Sequence, residues 1–164
     1  MLLYHYTHIT TALDKINEDA ILKVQNESQD NALKPALWFS ANKKFETSAL
    51  KGFINQETGK FSQFKTFEDQ LTTIGCVRYV AETNTVPFLN WKDYTHVSGI
   101  DLSDIKKMEK IHKDLGADTS EWYCSFEDLH FDKLLRAEVY TNDWVELNEK
   151  NLIDAINKAK WLNE

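Results

Sequence analysis

Residues 4–10 read Tyr-His-Tyr-Thr-His-Ile-Thr, two His-x-Thr triplets back to back at 5–7 and 8–10. Two such triplets on separate strands can aim both histidines at one phosphate. Here the histidines are three residues apart, and on a strand positions i and i+3 point to opposite faces, so His5 and His8 do not converge. What survives is a single triplet. His5 and Thr7 share one face of a strand, and Tyr4, Tyr6 and His8 share the other. A His beside a Thr makes a small hydrogen-bonding platform next to the N-terminus of whatever helix follows. The same residues also suit a satisfied histidine at a strand edge, so the rest of the chain has to separate the two.

The elements that would carry such a platform can be read from periodicity and punctuation. Residues 2–6 are aromatic and branched and predict a strand. A helix is expected over 11–19, capped by Thr11, with Leu13 and Ile16 opening an apolar face. Residues 23–36 are polar, carry Pro35 and read as loop. A short apolar strand follows at 36–41. Ser40 or Asn42 would then cap a helix through "KKFETSALKGFI", with Phe45, Ala49, Leu50 and Phe53 on one side. Phe61, Phe64 and Phe67 recur every third residue, as on one face of a short helix against the core, or as an aromatic patch for a target. Residues 72–83 predict a strand, 103–116 a helix capped by Ser103 and stopped by Gly116, and 121–126 and 134–141 two more strands. A last amphipathic helix over 149–162 turns Leu152, Ile153, Ile156, Ala159 and Trp161 mostly inward. Helices and strands mix without a run of βα units, so the fold class is α+β.

A chain of 164 residues is most simply one domain spanning 1–164. Its net charge of −7 speaks against a dedicated nucleic-acid binder, while leaving room for a locally basic cleft. The two cysteines, Cys76 and Cys124, have no metal-ligand spacing and read as free core thiols. No basic segment followed by an apolar run opens the chain, and no stretch approaches a membrane span; a cytoplasmic protein without a membrane partner is expected. His96, His112 and His130 stand in unrelated contexts and read as surface or capping residues, with no metal site among them.

Three stretches taken in order carry a resemblance. "LYHYTHITTALDKI" resembles the first motif of the ADP-ribosyltransferase superfamily, in the branch that uses a His, an aromatic and a Glu, and is most similar to the DarT-type DNA-modifying toxins. "ALWFSANKKF" resembles the second motif, a short aromatic strand ending in Ser. "LLRAEVYTNDWV" resembles the third, a late strand carrying the catalytic Glu. The resemblance implies a split, antiparallel-rich sheet core with flanking helices. It implies NAD as substrate, with no metal, and transfer of ADP-ribose to a macromolecular acceptor, protein or nucleic acid, by a toxin or a phage- or plasmid-encoded effector. It makes Glu138 the catalytic carboxylate, steadying an oxocarbenium-like transition state. His5 would hydrogen-bond a ribose hydroxyl with Thr7 in support. Tyr6 and Trp38 or Phe39 would wall the nicotinamide ring, and Ser40 would touch the ribose or the Glu. Two other outcomes stay open: a module of the same fold that only binds a protein partner, and an RNA 2′-phosphotransferase, a reaction that calls for basic residues to grip the RNA phosphate.

Overall fold

The computed structural model describes residues 1–17, 20–24 and 34–163. In chain order the elements are β1 (Leu2–Thr7), α1 (Ile9–Asn17), β2 (Ile21–Leu22), β3 (Leu37–Ser40), β4 (Gly52–Ile54), β5 (Phe61–Gln63), α2 (Phe67–Ile74) and β6 (Val77–Glu82). They continue with β7 (Leu89–Asn90), α3 (Trp91–Ser98), α4 (Leu102–Asp114), β8 (Trp122–Ser125), β9 (Leu129–His130), β10 (Arg136–Tyr140), β11 (Trp144–Glu146) and α5 (Glu149–Lys158). Seven strands form one sheet in the order β11-β10-β6-β1-β3-β8-β7, with every pairing antiparallel. The strands expected at 2–6, 36–41 and 134–141 all belong to it. The class is α+β, as the sequence predicts.

β1 pairs with β6 through all six of its residues, so the opening stretch sits mid-sheet, covered on both faces, and its aromatics are core residues. On the face of Leu3, His5 and Thr7 lies a core of Ile9, Phe39, Val77, Tyr79, Val139 and Ala155, drawn from α1, α5 and the strands. On the face of Tyr4 and Tyr6 lies a second core, with Phe45, Val80 and, at its margin, Phe67, Leu71 and Trp144. A third gathers Trp91, Tyr94, Ile105, Trp122 and Cys124 where α3 and α4 pack against β8. Cys76 and Cys124 are free and buried, and burial pushes both thiols up to about 12. Among the described residues, no helix is long and apolar enough to cross a membrane.

Several local expectations give way to tertiary context. The helix expected through "KKFETSALKGFI" is replaced by a 3₁₀ turn at Thr47–Ala49 and by β4, which pairs with β5. Gly52 suits that pairing, because a Cβ there would lie 2.3 Å from the Phe61 ring. The three-residue phenylalanine spacing is split: Phe61 lies exposed on β5, Phe64 is buried beyond it, and Phe67 opens α2. The first residues of the strand expected at 72–83 close α2, which ends at Gly75; the strand begins at Val77. α1 starts at Ile9 rather than Thr11, with the His8 ring receiving the Thr11 N–H; 18 and 19, where its end was expected, lie outside the described residues, as do 25–33 of the expected loop. Asp101, not Ser103, holds the N-cap position of α4. α5 stops at Lys158, and Ile153 and Trp161 are half exposed rather than inward. α3, capped by Asn90, and β11 carry no strong local signal and were not expected.

Candidate functional site

β1 and β3 share a single register pair, Tyr4 with Ser40. One residue further on, the ladder is replaced by a side chain: His5 Nδ1 lies 2.8 Å from the Trp38 carbonyl oxygen. A carbonyl only accepts, so Nδ1 carries the proton and donates, leaving Nε2 as a bare acceptor. Burial lowers the His5 pKa to about 4, with the nearby Lys51 charge acting in the same direction, so the ring is neutral at pH 7.

A cleft of about 550 Å³ opens at this seam. His5 and Tyr6 line it from β1, and Trp38, Phe39 and Ser40 from β3. The loop after β3 contributes Glu46, Ser48 and Lys51, and the far wall is Trp91, Trp122 and His112. Five of the seven residues singled out in the sequence therefore meet here, with His5 at the centre. The indole of Trp38 stands edge-on to Tyr94 at 4.7 Å between centroids and packs beside Trp91 and Trp122, so one of its faces belongs to the core. On the far wall, Trp122 Nε1 and His112 Nδ1 are buried without a hydrogen-bond partner among the described residues. His112 is thus part of the cleft and packs edge-on to Trp122 at 4.9 Å, a correction to its reading as a surface or capping residue.

Two carboxylates that the motifs did not single out belong to this region. Glu46 is 4% exposed and lines the cleft. Its Oε2 accepts the Ser40 hydroxyl at 3.0 Å, and its Oε1 accepts the Ser48 N–H and hydroxyl at 3.1 and 2.9 Å. Among the described residues no cation lies within ion-pair distance of it. Three neutral donors thus satisfy this buried carboxylate. Glu121, half-buried at the start of β8, accepts the Asn42 amide at 3.0 Å through Oε2. Asn42 is fixed in turn: its N–H donates to Ser40 Oγ at 3.0 Å, and its carbonyl accepts the Tyr6 hydroxyl at 2.6 Å. Burial pushes the Tyr6 hydroxyl well above its ordinary range and keeps it a donor. Ser40 and Asn42 therefore tie Glu46, Glu121 and Tyr6 into one network. The only signal for it in the sequence is the polar run that follows "WFS".

Glu138 stands elsewhere. Cross-strand register places Tyr6, Arg78 and Glu138 in one row and His5, Tyr79 and Ala137 in the next, and opposed residues share a face. His5 and Glu138 therefore lie on opposite faces with β6 between their strands. Alternation along β10 is as expected, with Val139 in the core on one face and Glu138 and Tyr140 on the other, but Glu138 is 7% exposed and does not line the cleft. Its carboxylate is taken up by two guanidiniums: Arg78 Nε and Nη2 reach Oε2, and Arg136 Nε reaches Oε1, each at 2.5 Å. Arg78 also donates to the Lys43 carbonyl at 2.6 Å and lies between the rings of Tyr4 and Trp144, 4.2 Å from each. Thr7, the remaining expected residue, is buried and lines a second, smaller cavity on the far side of His5.

No family model, curated protein or solved structure matches the chain. The functional reading therefore rests on the residues and their geometry.

Proposed function

We propose that the chain is an NAD-dependent ADP-ribosyltransferase that binds the dinucleotide in the cleft between β1 and β3. One observation carries the reading. At the seam of these two strands a neutral histidine acceptor, a serine hydroxyl, aromatic faces and a buried carboxylate without a cationic partner among the described residues meet around one opening. Those are the groups that cleavage of the nicotinamide–ribose bond calls for. His5 Nε2 accepts a ribose hydroxyl, Trp38 lies against the flat ring, and a carboxylate steadies the positive charge that grows on the ribose as nicotinamide leaves. A nucleophilic oxygen or nitrogen of the acceptor then bonds to the same carbon and gives up its proton.

Within this reading the carboxylate is Glu46, with Glu121 beside it through Asn42. The described contacts of both are with neutral donors, whereas two arginines already pair with Glu138. The deciding experiment measures NAD consumption and label transfer in a lysate for wild type, Glu46→Gln, Glu121→Gln and Glu138→Gln, with NAD affinity measured by calorimetry. The reading predicts a loss of turnover of about two orders of magnitude or more for a cleft carboxylate, at nearly unchanged NAD affinity. Wild type that neither binds nor consumes NAD at millimolar concentration overturns it. NAD binding without consumption supports the second reading, a binding module of the same fold. That reading draws on Phe61, which lines the cleft mouth while 71% exposed, as a contact for a partner.

A further inference from the structure

Behind the His5–Trp38 hydrogen bond lies a second cavity of about 230 Å³, lined by Thr7, His8 and Thr11 on one side and by Lys15, Lys23 and Lys51 among the rest. His5 and Trp38 line both cavities, so they form the wall between them. The chain carries seven more acidic than basic charges, yet no carboxylate is among the described residues of this lining. Three lysines line this small concave space in an acidic protein.

Lys15 and Lys23 make other interactions as well, so Lys51 carries the argument. Its backbone is fixed at both ends: the N–H donates to Gln70 Oε1 at 2.8 Å, and the carbonyl accepts the Phe64 N–H at 3.1 Å. The side chain lines both cavities, and no carboxylate of the described residues lies within ion-pair distance of it. Lys51 shares the lining of this cavity with His5 and His8, and its charge opposes protonation of both. α1 has no acidic residue in its first turn, and Thr11 of that turn lines the cavity, so the positive end of the helix adds to the field, although the His8 ring takes the Thr11 N–H and the Asp14 charge acts on His8 in the opposite sense. The hydroxyls of Thr7 and Thr11 supply neutral donors beside the charges.

We infer that this second cavity is a phosphate site: it takes a phosphate or diphosphate group through Lys51, Lys15 and Lys23, the Thr7 and Thr11 hydroxyls and the first turn of α1. The inference deepens the NAD reading, since a dinucleotide lying across the His5–Trp38 wall would put its ring in one cavity and its diphosphate in the other. It also stands without that reading, because a phosphate of a nucleic-acid acceptor has the same chemistry. The test is isothermal calorimetry of the full chain with inorganic pyrophosphate, ADP, adenosine and a short single-stranded oligonucleotide, at low and moderate salt. Pyrophosphate and ADP should bind, adenosine should bind more weakly than ADP, and added salt should weaken the phosphate ligands alone. Lys51→Gln should weaken pyrophosphate and ADP by about tenfold or more, and Lys51→Arg should recover most of that loss. Lys15→Gln should weaken the same ligands from the other side of the cavity. Tight ADP with weak oligonucleotide assigns the site to the dinucleotide, and the reverse order assigns it to the acceptor. If pyrophosphate and ADP fail to bind, or bind Lys51→Gln and Lys15→Gln as they do wild type, the phosphate site is wrong, even where NAD itself is bound and consumed. A chain that binds pyrophosphate through Lys51 but never consumes NAD loses the transferase reading and keeps the site.

Discussion

Glu138→Gln should act first on stability. The side chains of Arg78 and Glu138 are 7% and 9% exposed, and the Arg78 guanidinium gives two of its donors to Glu138 Oε2. Removing one partner of a buried ion pair leaves an uncompensated charge and costs about 3–5 kcal/mol. Glutamine keeps an acceptor oxygen, and Arg78 keeps the Lys43 carbonyl and the rings of Tyr4 and Trp144, so the low end applies, about 3 kcal/mol. Against a total stability of about 5–15 kcal/mol that is a large share. For a chain of this length each kcal/mol moves the melting temperature by about 2–4 °C, so a fall of about 6–12 °C follows. Urea titration and scanning calorimetry of wild type and Glu138→Gln measure it. The double variant Arg78→Met/Glu138→Leu, which removes both charges, should recover most of the loss. An unchanged urea midpoint in Glu138→Gln would refute the claim that Arg78 depends on this carboxylate. The same numbers bear on activity assays, because any drop in turnover for Glu138→Gln has to be corrected for the folded fraction before it is read as chemistry.

The His5 ring, with its pKa lowered from 6.5 to about 4, takes up a proton in the unfolded chain before it does in the folded one. Its contribution is therefore present above pH 6.5, falls away between 6.5 and about 4, and is flat below, for a total of about 3 kcal/mol. Urea titrations at pH 7 and pH 4 should show the advantage of wild type over His5→Asn shrinking by up to that amount; a constant difference would mean the ring is not held neutral. Gly75 combines a φ of +66° with an approach that would put a Cβ 2.3 Å from Ile9 Cδ1, so Gly75→Ala should cost about 2–4 kcal/mol by the same titration. Gly99→Ala, at φ +75° with open space around it, should cost only about 1 kcal/mol, and equal costs at the two glycines would remove the packing term.

The sequence by itself determined the elements whose residues answer to their immediate neighbours. β1, β3, β8 and β10 are runs of branched and aromatic residues, and α4 and α5 carry their own periodicity and stop signals, so each shows in a short window. It also brought out His5, Tyr6, Trp38, Phe39 and Ser40, which the fold gathers at one seam. Alternation along a single strand correctly separates His5 from Tyr6 and Glu138 from Val139. What alternation cannot give is the register between strands far apart in the chain, and here that decides the chemistry. Arg78 and Glu138 are 60 residues apart, and only their cross-strand pairing sets them in the row of Tyr6, opposite the face of His5. The β4 strand, which a local reading takes as helix, forms only by pairing with β5, with Gly52 opposite Gln63 and Ile54 opposite Phe61, and the Lys51 loop is held by Gln70 and Phe64. Glu46 becomes a cleft carboxylate because the chain turns back over Ser40 six residues earlier, and a local reading of those residues as helix hides that turn. Local propensity chose the strands; long-range pairing, through the faces and gaps it fixed, chose which of their side chains meet.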